Sequence, residues 1–472
     1  MVIYVLWGFL YSLRTFISAD GVLNEYLWFI KGQVIIGYLW KISLTSVLIG
    51  LLPYVTTLLA DDVENALAAC GSTLFGTFVG IWQYKKAQKS EKGGGVISDL
   101  TIYLGAFALM YGLLALAYII AGIFFNDEVQ LIHPIWFTVV VIGTVFFGVF
   151  VNLNLIGPHR LWRDRLMEAF MPNKEAVRDN VWQPASEADS ALMEDMCNPE
   201  NPRPYHIVNT NVILTNSKQV KFKGRGGDNF IISRLFCGSD ATGWRTTKTF
   251  HKNGARGITL ATAMATSAAA LNPNAGVSGG GVTKSAIVSI LLSTLNLRLG
   301  YWASNPNRNL WPFPPNFFTP GITSEITRSG FKETDSLVLL SDGGHFENLA
   351  LYELIRRKLD LIILSDGGAD PGFNFDDLAN AVEKVRVDFG VKIDFKDGSG
   401  LDGMLPGTRN KNDFDKKYEI AERGYAFAEI TYDDGKKGTL VYVKLAMVDK
   451  LSTDVYSYKG INSTFPHEST SD

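Results

Sequence analysis

Cysteine is scarce in this chain: there are three in 472 residues, Cys70, Cys197 and Cys237. Their wide spacing fits neither a zinc-ligand pattern nor a disulfide framework, and so few thiols suit a reducing compartment. Net charge is equally slight, −3 from 44 basic and 47 acidic side chains. That balance removes the electrostatic case for a nucleic-acid partner. Charge is missing altogether from two long runs, residues 100–125 and 135–156. Two or three domains are expected from this length.

What is present is unevenly distributed. Residues up to about 157 are mostly apolar, and the rest has the composition of a soluble protein. A bilayer core takes about 20 apolar residues in a helix. Residues 100–125 meet that length, and 135–156 follow a short acidic turn as the return helix of a hairpin. Residues 42–60 make a third span, with Pro53 tolerated, and 67–82 a fourth, with Gly71, Ser72, Gly76 and Gly80 spaced for close helix packing. Lys85, Lys86, Lys89 and Lys92 lie in one loop, and Arg160, Arg163 and Arg165 follow the last span, whereas Asp61, Asp62, Glu64, Asp127 and Glu128 occupy the opposite loops. The positive-inside rule then places the carboxyl-terminal part in the cytoplasm. Ionisable groups are absent from the two strongest spans, which argues for an anchor over a transporter. Lys41, at a helix end, reads as snorkelling. The first 17 residues lack a signal-peptide cleavage pattern and read as a membrane-lying or fifth helix.

The expected organisation is an amino-terminal membrane-associated segment (1–33), a four-helix transmembrane region (34–157), a juxtamembrane helix and linker (158–204), and a cytoplasmic α/β domain (205–472). Residues 159–171 form a basic amphipathic helix suited to anionic headgroups. Short β-type runs begin at Tyr205, and small-residue or apolar helices are expected at 258–270 and 286–299. The segment LLSDGGHFENLALYELIRRKLDLIILSDGGADP, residues 339–371, is strand, glycine turn, helix and strand. Continuous apolar strands alternating with helices imply a parallel sheet covered on both faces. A helix over 376–389 follows. Residues 425–432 and 438–448 suggest a closing hairpin at the sheet edge, and the last residues have a disordered composition.

Two aspartates end strands in glycine turns, Asp342 and Asp366. Such a carboxylate, at the strand end where open α/β sheets keep their chemistry, can serve as a base toward a serine nucleophile. The simpler reading on sequence chemistry is a helix cap that accepts backbone N–H groups. Spacing alone does not choose between these aspartates.

Residues 342–371, with the helix and strand LANAVEKVRVDFGVKIDF after them, resemble the carboxyl-terminal half of the catalytic domain of bacterial patatin-like phospholipases. The blocks GPHRLWRDRLMEAFM, RPYHIVNTNVIL, FCGSDATGW, LATAMATSAAALNPNAG and LNLRLGYWASNP extend the resemblance over roughly residues 157–395. It implies a patatin-like, partly parallel α/β sheet with flanking helices. It also implies a serine lipid acyl hydrolase that acts on membrane lipids through a Ser-Asp dyad, without metal or organic cofactor. Asp342, in its Asp-Gly-Gly turn with Gly343 and Gly344, matches the family's aspartate, and Asn348 and a helix follow as in the family. Asp366 falls on the next strand.

The family also carries a Gly-Gly-Gly-x-Arg oxyanion loop and a Gly-x-Ser-x-Gly elbow upstream of these blocks, and neither precedes the expected spans here. That is the arrangement of a truncated or split member, and the alternative function is a pseudoenzyme with a scaffolding or binding role. Gly276-Val277-Ser278-Gly279-Gly280 has the elbow's pattern and makes Ser278 the candidate nucleophile, although loop residues precede it where an elbow takes a strand. Residues 279–284 resemble an oxyanion loop, with no elbow between them and Asp342. Ser267 sits in a small-residue helix that packs beside the family's active site. His345 reads as a hydrogen-bonding surface residue on a turn, since the family's dyad uses no histidine. Arg356, Arg357 and Lys358 complement a helix dipole.

Overall fold

A pair of asparagines ends the apolar run of residues 135–156 early. Helix α1 (Pro134–Phe150) is 17 residues long. Beyond it Asn152 Oδ1 accepts the Asn154 amide at 3.0 Å. Asn154 in turn brackets the Trp302 backbone, donating to its carbonyl at 2.8 Å and accepting its amide at 3.0 Å. Short polar side chains that bond backbone groups compete with helix continuation, and Val151, Leu153 and Asn154 are buried in protein packing. Among the described residues no helix is long and apolar enough to cross a membrane. This corrects the multi-span part of the expected fold and the expected integral-membrane localisation with a cytoplasm-facing domain. The computed structural model describes residues 7–10, 12–13, 29–37, 39, 134–196, 204–250, 257–275, 286–308 and 313–467. The expected spans at 42–60, 67–82 and 100–125, with the basic loop between the last two, lie outside the described residues.

Helix α2 (Pro158–Phe170) does not present its arginines to a surface. Arg160 and Arg163 are only 6% and 4% exposed. Arg163 Nη1 meets Asp164 and Asp189 at 2.8 and 2.7 Å, and Arg160 Nε meets Asp164 at 3.0 Å. Arg163 also donates to the hydroxyls of Thr262 and Thr259 at 3.1 and 3.2 Å. Buried charge is tolerated only when it is paired and hydrogen-bonded, and here two cations face two carboxylates. The expected headgroup-binding helix is therefore an internal clamp. It grips the start of helix α3 (Leu260–Ser267), whose N-cap is Thr259, with its side chain accepting the Thr262 amide.

The chain divides into two compact units, Met1–Phe346 and Glu347–Asp472. The first holds strands β1 (Ile207–Ile213), β2 (Gly227–Ser233), β3 (Phe236–Ser239), β4 (Gly243–Thr246), β5 (Tyr301–Ser304) and β6 (Leu337–Asp342), with helix α4 (Ala286–Thr294) preceding β5. Their order is β4-β3-β2-β1-β6-β5, and every neighbouring pair is antiparallel. Val208, Val212, Val338 and Leu340 pack with Phe230, Phe250 and Ala263 of α3 in one core. Leu337, Leu339, Ile213 and Trp302 pack with Phe331 in another. Alternate side chains of a strand leave opposite faces. The apolar run of β6 therefore reports a strand buried on both faces, and its pairing is antiparallel.

The second unit holds helices α5 (Leu351–Arg356) and α6 (Asp376–Phe389) and strands β7 (Leu361–Asp366), β8 (Lys392–Phe395), β9 (Tyr425–Thr431) and β10 (Lys437–Lys444). Its sheet order is β7-β10-β9-β8, with β10 parallel to β7 and the other pairs antiparallel. The β9–β10 hairpin, expected at an edge, is the interior pair. Helix α6 opens with Asp376 and Asp377 at its positive dipole end and stops at Gly390, which adopts φ +65°, a conformation that favours glycine. The expected patatin-like, partly parallel sheet is thus corrected. The chain builds an antiparallel sheet and a separate mixed one, and the two strands that end in Ser-Asp-Gly-Gly belong to different sheets.

Candidate functional site

Three polar residues in a row interrupt the apolar alternation of β1, and all three serve the end of β6. Thr210 pairs with Asp342 and Asn211 with Ser341, while the Asn209 carbonyl accepts the Ser267 hydroxyl at 2.7 Å. A Cβ on Gly343 would lie 2.8 Å from that Asn209 carbonyl oxygen, closer than real Cβ atoms approach backbone. Glycine is therefore what lets the turn after β6 close onto β1. The chain following α3 braces the turn from its other side, where the Asp342 amide donates to Ala269 O at 3.3 Å.

Asp342 projects from the face of β6 that carries Val338 and Leu340, the face covered by α3. One carboxylate oxygen accepts the Gly344 amide at 2.7 Å. The aspartate thereby caps the single turn Gly343–His345, so the cap function anticipated for it is present. That cap occupies one oxygen. Among the described residues no hydrogen bond reaches the other oxygen. Burial raises the Asp342 carboxyl above the ordinary carboxylate value, while the Gly344 amide and the neighbouring His345 pull it down. Burial lowers His345 below the ordinary imidazole value, with Asp342 and the Ala270 backbone opposing. A carboxylate that binds a proton more readily than usual and keeps one oxygen open is equipped for proton transfer.

Asp366, the other strand-end aspartate, is fully engaged. Its Oδ1 accepts the Gly368 amide at 2.8 Å, and Oδ2 accepts the Tyr442 hydroxyl at 2.5 Å and Lys444 Nζ at 2.9 Å. Lys444 and Asp366 are both almost wholly buried. An ion pair closed on every side leaves no open lone pair for a substrate proton. The two turns therefore share a sequence and differ in chemistry.

Ser278, together with the rest of Gly276–Gly281, lies outside the described residues. Ser267 stands at the carboxyl end of α3 beside the Asp342 turn, but its hydroxyl proton is committed to Asn209 O. Ser341 is fully buried, so no bulky substrate reaches it. The residues that sequence reasoning passed over are Asn209, Thr210, Asn211 and Ser341. Their signal was the polar triplet inside a strand whose other positions are apolar. Among the described residues no group of three or more His, Cys, Asp or Glu side chains is arranged to hold a metal ion. No protein-family model and no curated protein matches this chain. The likeness to patatin-like phospholipases therefore rests on its motifs alone.

Proposed function

We propose that the chain is a lipid acyl hydrolase that cleaves carboxylic esters with Asp342 as general base. The observation that supports this most is the Asp342 carboxylate itself: raised in proton affinity by burial, held through one oxygen by Gly344 and, among the described residues, without a hydrogen bond at the other. In the proposed reaction a serine hydroxyl, assigned to Ser278, attacks the ester carbonyl as its proton passes to Asp342. The alcohol leaves with that proton, and water then releases the acyl group by the reverse proton path. Backbone amides are the expected stabilisers of the oxyanion. Lipid esters are the proposed substrates because the motif likeness points to them.

A second reading, a non-catalytic binding or scaffolding protein, draws on a different observation: neither serine described beside Asp342 is available for attack. Ser267 is bonded to Asn209, and Ser341 is buried. A fluorophosphonate probe separates the two readings. Hydrolysis is expected to label wild type, with labelling lost in Ser278→Ala and strongly reduced in Asp342→Asn. Labelling unchanged in both variants would remove these site assignments, and a folded wild type that neither labels nor hydrolyses lipid esters would favour the scaffold.

A further inference from the structure

Ser341 and Asp342 are consecutive on β6 and leave opposite faces of the sheet, yet the turn after them reconnects the two. The His345 ring folds back four residues, placing Nδ1 3.0 Å from Ser341 Oγ. The same hydroxyl accepts Asn211 Nδ2 at 3.2 Å. Its own proton has two acceptors in reach, Nδ1 at 3.0 Å and the Asn211 carbonyl at 3.4 Å. With Nδ1 as the acceptor of that proton, the imidazole carries its own proton on Nε2. The Ala270 backbone also hydrogen-bonds the ring, next to the Ala269 carbonyl that receives the Asp342 amide. Both ends of the Asp-Gly-Gly-His turn are thus tied to the strand that carries it and to the chain leaving α3.

We propose that His345 is a positioning residue for Asp342: bonded to Ser341 and braced by the Ala269–Ala270 backbone, it locks the turn and sets its imidazole beside the carboxylate. The two side chains also act on each other electrically. Asp342 is the charged group acting on His345, and His345 the charged group acting on Asp342. Protonation of the imidazole favours the ionised carboxylate, and ionisation of the carboxylate favours the imidazolium. This inference rests on the proposed role of Asp342 as base, but its test needs no turnover, so either can fail without the other.

The experiment is an NMR titration of the full chain carrying ring-labelled histidine. The His345 signal is identified as the one missing from His345→Gln. In wild type it is expected to titrate below the ordinary histidine value. In Asp342→Asn, which keeps an acceptor for the Gly344 amide, the titration is expected to move lower still, because the attraction that opposes desolvation is gone. Ser341→Ala removes the bond to Nδ1 and is expected to broaden or displace the ring signal with the fold retained. If esters are hydrolysed, the acid limb of kcat/KM is expected to move to higher pH in His345→Gln, whose amide oxygen can still accept from Ser341. In His345→Leu, which cannot, kcat is expected to fall further. An identical His345 titration in wild type and Asp342→Asn would overturn the proposal. So would a His345 signal that titrates at the ordinary value in wild type.

Discussion

Ser267 Oγ donates a 2.7 Å hydrogen bond to the carbonyl of Asn209, the same oxygen against which Gly343 closes. A hydroxyl used in this way is part of the wall behind the Asp342 turn. Ser267→Ala is expected to cost about 1 kcal/mol, the usual net worth of one hydrogen bond, and to leave fluorophosphonate labelling unchanged. Urea unfolding and probe labelling, measured on the same sample, check both halves. Labelling abolished in a folded Ser267→Ala protein would make Ser267 the nucleophile.

Asp342 carries an unusual sign. Its folded-state carboxyl is raised by burial, so the folded chain holds that proton more tightly than the unfolded one. Its contribution to stability is present below the unfolded carboxylate value and is lost as pH rises through the folded value. Asp342→Asn is accordingly expected to melt above wild type at pH 8, with the difference shrinking toward pH 4. Hydrolysis should behave oppositely, since a base works only when deprotonated: activity falls with acidification, at a midpoint above the ordinary carboxylate range. A lower melting temperature for the Asn variant at pH 8 would argue that the carboxylate is a structural anchor.

Gly343 extends that prediction to the backbone. A methyl group there meets the Asn209 carbonyl at 2.8 Å, and backbone does not yield as a flexible side chain does. Gly343→Ala is expected to open the turn and lower kcat by about 100-fold, the scale of a misplaced catalytic group, with a smaller loss of stability. Full activity in this variant would show that the close approach to β1 is dispensable.

The Asp342 turn and helix α6 were legible in the sequence for local reasons. Glycines mark a close approach, and Asp376, Asp377 and Gly390 mark helix ends. Strand pairing was not legible. β1 meets β6 across 130 residues, and an apolar run says only that both faces are covered. The arginines of α2 misled in the same way, because Arg163 finds its partner Asp189 26 residues later, beyond any helical spacing. Asn152 and Asn154 were counted inside the uncharged run of residues 135–156, whereas their side chains bond backbone. The His345–Ser341 bond escaped because its four-residue separation spans a strand end and a turn, where periodicity carries no information.

His159 supplies a pH test of the first unit. Burial, and then the positive Arg298, Arg163 and Arg160, lower its imidazole from 6.5 to about 3, against the raising effect of the Leu299 carbonyl bond. The unfolded chain therefore binds a proton that the folded one refuses, and stability is lost as pH falls from about 6.5 toward 3. Fully developed, the loss is on the order of 5 kcal/mol. His159→Gln, whose amide can still donate to Leu299 O, is expected to flatten the fall of the urea midpoint between pH 7 and pH 4. An equal fall in both proteins would place the acid sensitivity elsewhere.

Lys444 and Asp366 test the distinction between the two strand-end aspartates from the opposite side. Lys444 Nζ lies 2.9 Å from Asp366 Oδ2 and both side chains are at most 2% exposed, with the Tyr442 hydroxyl, itself raised by burial and by Asp366, on the same oxygen. Removing the cation leaves a buried carboxylate without its counter-charge. Lys444→Met is therefore expected to destabilise the second unit by about 3–5 kcal/mol. The double variant Lys444→Met with Asp366→Asn should recover part of that loss, because no uncompensated charge remains. Asp366→Asn alone is expected to destabilise at pH 8, where Asp342→Asn stabilises. Unfolding midpoints of these four variants at one pH decide the matter: were Asp366→Asn the stabilising change and Asp342→Asn the costly one, the open carboxylate would be Asp366 and the proposed base would move to the second unit.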